Sequence, residues 1–398
     1  MSKKSAQQIS IWGNRRPRMR DAAIILKEAT TEATALPLID STKFGSLRHL
    51  RESFVPVSRS YFALAAMTRR TELKEVSRSE GLAQLFSMRT LIESRLLDQF
   101  RFNAGWLRLE AEATKDSFFG KSKKQGVSIR YALASCVPTA TCGGRCYAHD
   151  GRDRELLHIY RGVLNYYIGL EFQNGSPERR QQILALLSKS IDKGVEAALA
   201  DQASALSEGY NRLPRIRFSH VGEMASTPEF TNALAAEVKK RDPRVQCVIY
   251  TRHPKAKLLD SNLLVINFTL EGAGDVRQKF APTGARIVNS SWDGEINEKA
   301  DVNFLEHHVE KSAIGIGTGS ICPVTANHKV TPSCDSALCQ KCFVPVTIGA
   351  RNEPPRFIAA CPPNPTAPRT SVRQGSEPFL PKPKNPRRRT KPEKVRRF

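Results

Sequence analysis

Residues 127–146 read VSIRYALASCVPTATCGGRC. Val127–Ala134 alternates as a half-buried strand does, and it runs directly into Cys136. Two more cysteines follow at Cys142 and Cys146, with Gly143 and Gly144 between them. Arg152–Phe172 then reads as a helix. A strand, a loop rich in side-chain chemistry and a helix make the first unit of an α/β fold. In such folds the loop after a strand lies at the carboxyl end of the sheet, where sites form.

The pattern continues outward. Ser176-Pro177-Glu178 starts a second helix, with Ser as N-cap and Pro at the first helical position. Its apolar face is Ile183, Leu187, Ile191 and Val195. Arg215–Ser219 reads as a short strand. Thr227-Pro228-Glu229 opens a further helix, with Phe230, Leu234 and Val238 facing inward. Val245–Tyr250, Leu263–Leu270 and Ala285–Asn289 read as three more strands, and Asp242-Pro243 turns into the first of them. Upstream, residues 82–100 predict a helix with Leu85, Met88, Ile92 and Leu96 on one face. Strand and helix in alternation predict a mainly parallel sheet with right-handed crossovers. The expected class is α/β, a full or partial parallel β/α barrel. The expected organisation is a basic N-terminal region (1–75), a helical extension (76–126), the barrel-like domain (127–320), a Cys-rich metal-binding segment (321–362) and a disordered basic tail (363–398).

The net charge is +23 over 398 residues. Residues 1–20 carry +6 of it and residues 381–398 carry +8, so the body between them holds the remaining +9. Two basic arms on a basic body suit a polyanion, and nucleic acid is the expected partner. No run of apolar residues is long enough to span a membrane. The start, MSKKSAQQIS, lacks the apolar stretch of a secretory signal, so a reducing, cytoplasmic setting is expected. Oligomeric state is not legible.

There are nine cysteines. In a reducing compartment clustered cysteines are ligands or catalysts rather than bridges. Seven of the nine fall in two windows, which sets scattered core thiols aside. Cys136, Cys142 and Cys146 form a Cys-x5-Cys-x3-Cys loop, and three thiolates leave a fourth position open. Arg145 and the following helix start are expected to lower the thiol pKa values. Cys322, Cys334, Cys339 and Cys342 form the second group, with Cys-x2-Cys at its end. Four thiolates close a shell unaided, as in structural zinc or an iron–sulfur site. Spacing alone leaves iron and zinc both open. Cys247 reads as a core thiol and Cys361 as incidental.

The order of motifs resembles the phage and plasmid family called gene product eighty-eight. The matching pieces are Cys146-Tyr147-Ala148 closing the cysteine loop, RFSHVGE (217–223), IYTR (249–252), NFTLEG (267–272) and a closing run that ends CQKCF (339–343). The match spans roughly residues 125–345. The family resembles radical-SAM proteins. That resemblance implies a β/α barrel, a 4Fe-4S cluster near the strand ends and S-adenosylmethionine as cofactor. It implies that Val221-Gly222-Glu223 stands where radical-SAM folds carry Gly-Gly-Glu, with Glu223 taking the cofactor's ammonium and Gly222 beside it; the alternative is that Glu223 simply opens the helix that follows. The loop departs from the usual Cys-x3-Cys-x2-Cys spacing, and one Gly of the pair is replaced.

Among other residues, Arg252 at a strand end is weighed as a binder of carboxylate or phosphate against a surface Arg at a loop entry. His220, close to Gly222, is weighed as acid, base or ligand against a structural His. His307 and His308 read as a surface pair. Gly315, Gly317 and Gly319 read as a close-packed turn, since the Lys-Ser/Thr of a phosphate loop is lacking. Tyr160, Tyr166 and Tyr167 read as packing residues, and Trp292-Asp293-Gly294 as a turn.

Overall fold

The computed structural model describes residues 75–102, 118–122, 126–139, 142, 146, 148, 156–208, 212–272, 274–291, 297–305 and 341–343. All belong to a compact unit spanning Met1–Cys361. The expectations for 1–74, for the basic tail, for His307, His308 and the Gly315–Gly319 run, for Trp292-Asp293-Gly294, and for Cys322, Cys334, Cys339 and Cys361 lie outside the described residues.

The first helix, α1, runs Glu75–Phe102, longer at its start than the sequence pattern indicates. Leu85, Met88, Ile92 and Leu96 are all buried, as their three- and four-residue spacing requires. Two short strands follow, β1 (Phe119–Ser122) and β2 (Gly126–Ile129). Helix α2 covers Leu156–Asn174 and α3 covers Pro177–Ser207. Ser176 caps α3, its side chain accepting the Arg179 N–H with Pro177 at the first helical position. Then come β3 (Arg215–Phe218), α4 (Pro228–Arg241), β4 (Gln246–Thr251), β5 (Leu264–Leu270), β6 (Arg286–Ser291) and β7 (Val302–Leu305). Thr227 occupies the N-cap of α4 without a capping bond. Its hydroxyl is bonded instead to the Met224 carbonyl and to the Tyr131 hydroxyl.

The strands form one sheet in the order β1-β2-β3-β4-β5-β6-β7. β1 and β2 pair antiparallel, and every later pair is parallel. The mainly parallel α/β sheet is therefore as expected. β1 and β7 are additions, four-residue strands with too little alternation to stand out in sequence.

Each side of the sheet has its own core. The larger takes Val127, Ile129, Ile216, Phe218, Cys247, Ile249, Ile266 and Phe268 together with the inward faces of the four helices. Phe100 of α1 stacks on Tyr167 and meets Tyr160 edge-on, so these tyrosines are packing residues. Cys247 is fully buried here, as a core thiol should be. The other side takes Val248, Val265, Val288 and Val302, and Cys342 and Phe343 close over it. Residues buried on both faces explain why β5 is buried along its whole length. No helix among the described residues is long and apolar enough to cross a membrane.

Candidate functional site

The site begins where β2 and β3 keep pairing past their ends. The His220 N–H donates to the Ile129 carbonyl at 2.7 Å, and the Tyr131 N–H donates to the Val221 carbonyl at 2.8 Å. The strand expected over 127–134 thus stops at Ile129. The chain then turns through Leu133–Ser135, where Ser135 Oγ donates to the Ala132 carbonyl. Gly222 sits against this turn with φ +74°. A Cβ there would lie 2.4 Å from the Ala132 oxygen and 2.7 Å from the Tyr131 carbonyl carbon. Only glycine meets both conditions. The next residue, Glu223, donates its N–H to Ser135 Oγ at 2.8 Å, one residue ahead of Cys136. The approach of Val221-Gly222-Glu223 to the cysteine loop is therefore fixed by backbone contacts and by the Ser135 hydroxyl.

Cys136 and Cys146 pack against Leu133, Ala148 and Val221. Burial pushes all three loop thiols up. At Cys136 the Glu223 carboxylate, the other two thiols and Glu93 push further in the same direction. At Cys142 burial and the carboxylates of Glu271 and Glu223 outweigh Arg252 and Arg277. Cys146 is pushed up to about 12, by burial against a hydrogen bond from the Ala148 backbone. This corrects the expectation of lowered thiol pKa values: desolvation dominates at all three, and at Cys142 it prevails even though the strongest nearby charge is the positive Arg252. Cys136 feels both other thiols, and Cys146 feels Cys142. Among the described residues, however, no three His, Cys, Asp or Glu side chains already stand as a metal shell.

Glu223 is the second feature. Burial raises its carboxyl to about 7, against the Thr251 hydroxyl and the Arg252 charge, which favour ionisation. Thr251 Oγ donates to Glu223 Oε2 at 2.7 Å, and the Arg252 N–H reaches Oε1 at 3.5 Å. The Arg252 guanidinium turns to Glu271 at the end of β5. Glu271 Oε1 also accepts from Thr139 Oγ at 2.7 Å, and Thr139 Oγ accepts the Cys142 N–H at 3.0 Å. The carboxyl ends of β3, β4 and β5 are thereby wired to the cysteine loop. Arg252, weighed as a ligand binder, stands in this network with its charge partly engaged.

Sequence reading did not find the third feature. Arg89 and Glu93 lie within the buried face of α1, with Arg89 Nε 2.8 Å from Glu93 Oε1. Glu93 Oε2 accepts the Ala134 N–H at 2.8 Å, and Arg89 Nη1 donates to the Ala148 carbonyl at 2.9 Å. One ion pair thus holds both ends of the cysteine loop. An Arg and a Glu four apart inside an apolar helical face were the available signal.

His220 is buried beside this region. Cys342 sits on the opposite face of the sheet, where Asn267 Nδ2 donates to its carbonyl at 3.0 Å. Phe343 lies under the Arg215 guanidinium, 3.8 Å from ring centre to charge. Compared with known proteins, the chain matches no family model, no curated protein and no solved structure.

Proposed function

We propose that this chain is an iron–sulfur metalloprotein of the radical-SAM kind, acting on or near nucleic acid. Cys136, Cys142 and Cys146 hold a 4Fe-4S cluster, and Glu223 takes the ammonium of S-adenosylmethionine. The observation that carries the reading is the seating of Glu223. It stands at the end of the second parallel strand, bonded to the turn that enters the cysteine loop, with its carboxylate in the field of Cys136 and Cys142.

The donor chemistry fits. Three soft, half-buried thiols lie on one loop and resist ionisation there without a cation. A buried carboxylate with hydrogen bonds from Thr251 and Arg252 suits an ammonium partner. When bound, the cluster and S-adenosylmethionine supply one-electron cleavage of a sulfonium carbon–sulfur bond. The chain's own work is positional. Gly222 brings Glu223 against the loop, Thr251 orients the carboxylate, and the Arg89–Glu93 pair holds the loop ends. Six parallel strands in chain order suit a full or partial β/α barrel. The motif resemblance to gene product eighty-eight agrees with this reading, and a cytoplasmic, phage- or plasmid-borne role goes with it. Cys322, Cys334, Cys339 and Cys342 then form a second, closed site.

The second reading is a non-enzymatic nucleic-acid-binding protein with structural zinc. The net charge of +23 favours it. Anaerobic purification with measurement of iron, acid-labile sulfide and zinc separates the two. The proposal expects a brown protein that loses its spectrum in Cys142→Ala and releases 5′-deoxyadenosine from S-adenosylmethionine under reduction. Colourless protein with stoichiometric zinc sinks it.

A further inference from the structure

Arg277 is held along one edge and open along the other. Its Nε lies 2.9 and 3.1 Å from the two oxygens of Asp275, and its Nη2 bonds Asp275 as well. Nη2 also lies 3.5 Å from Glu271 Oε2. The planar fork is thus fixed by a bidentate carboxylate, which aims the remaining nitrogen. That nitrogen, Nη1, is buried and has no hydrogen-bond partner among the described residues. An unsatisfied buried donor costs about 1–3 kcal/mol, more when charged, and native proteins keep few of them. Burial opposes ionisation of Asp275, yet the Arg277 hydrogen bonds hold its carboxyl down at about 2, so the pair stays charged.

Arg277 borders the site described above, sharing Glu271 with Arg252. The Arg277 charge reaches both Cys142 and Glu223. Across Glu271 stands Arg252, whose guanidinium reaches the same two groups. Two guanidiniums therefore flank the ground between the cysteine loop and Glu223.

We propose that Arg277 Nη1, with Arg252 beside it, is the anchor for an oxoanion of the substrate, a phosphate or a carboxylate. The site's purpose rests on the cofactor reading, but its ligand contact does not need a bound cluster. Charge-assisted bonds from a preset fork are the contacts that recognise such groups.

The test is calorimetric titration of the full chain with inorganic phosphate and, separately, with acetate. Iron content is read on the same samples. Binding of one probe over the other identifies the acid group, and binding of either supports the proposal. Arg277→Lys keeps a cation for Asp275 but removes the second edge, so binding should weaken at least about tenfold. If that variant does not fold, Arg277→Gln with Asp275→Asn removes both charges together and should abolish binding. Unchanged affinity in either variant overturns the proposal. So does the absence of binding by both probes at about 10 mM, above the millimolar range of a single anchor. Iron present with no oxoanion binding sinks this inference alone. Oxoanion binding without iron sinks the cofactor reading alone.

Discussion

Glu93, in the middle of α1, accepts the backbone N–H of Ala134 at 2.8 Å, two residues ahead of Cys136. Its partner Arg89 is bonded to the carbonyl of Ala148, two residues beyond Cys146. Burial pushes the Glu93 carboxyl up, and Arg89 opposes that most strongly among its neighbours. Removing one member leaves the other buried without the counter-charge of this pair. Glu93→Ala should therefore destabilise the fold by about 3–5 kcal/mol. The double variant Arg89→Met with Glu93→Gln should recover much of the loss, because no lone charge remains and Gln still accepts from Ala134. Chemical denaturation of the three proteins measures this, and equal stability of Glu93→Ala and the parent would refute it.

Gly222→Ala should cost about 1–3 kcal/mol for the positive φ alone, with steric overlap in addition. The added methyl meets the Ala132 carbonyl and the Tyr131 backbone, neither of which is a flexible group. Gly274→Ala is the control: a Cβ there has nothing within 4 Å, and the change should stay within about 0.5 kcal/mol. Urea midpoints of the two variants, compared with the parent, give the answer.

His253 gives the fold an acid sensitivity. Its Nδ1 accepts the Lys255 N–H at 3.1 Å, and burial, helped by the Lys255 charge, lowers its pKa to about 4. The folded protein thus binds the proton less readily than the unfolded chain. The stability involved is fully present above the ordinary His value near 6.5. It falls as pH drops from there toward about 4. His253→Asn retains an accepting side chain and should flatten the pH dependence of the melting temperature across that window. A parallel decline in both proteins would show that other groups set it.

Metal content should separate the cysteines by location. Cys142→Ala should remove iron with little change in fold, since Cys142 is only half-buried. Cys247→Ala should leave iron content unchanged, because Cys247 is sealed in the core among Ile216, Ile249 and Leu264. Metal analysis by mass spectrometry on protein purified without oxygen reads both. Loss of iron in Cys247→Ala would be contrary to this assignment.

The parts of this fold legible in sequence are those with long, regular apolar spacing. The buried face of α1 declares its period, the start of α3 its cap, and β4, β5 and β6 read as short apolar, β-branched runs within their own residues. β1 is FGKS and β7 is VNFL, and neither is long enough to show one. β2 ends early because Ser135 and Gly222 turn the chain, a tertiary cause that alternation does not encode. The same division holds at the site. The cysteine loop and Glu223 stand out by residue type and order. Glu93 and Arg89 have their loop partners 41 and 59 positions away. Asp275-Val276-Arg277 looks like any charged surface turn until Glu271 and Arg252 are seen beside it.

The strand order has a consequence for assembly. Every strand is laid down beside the one made before it, so the sheet can grow in the direction of synthesis without threading. The costly closure is the early one, across residues 130–214, where β3 must find β2 after α2 and α3. That same event brings Glu223 onto Ser135, so the ground around the cysteine loop is organised when only two parallel strands exist. Cys342 comes last. The Asn267 amide that holds its carbonyl, and the valines beneath it, exist as a surface only once β4 to β7 are in place. Cys342 is thus separated from the first cysteine group in folding time, and a chain truncated before residue 341 should retain that first group while losing Cys342 and its contact with Asn267.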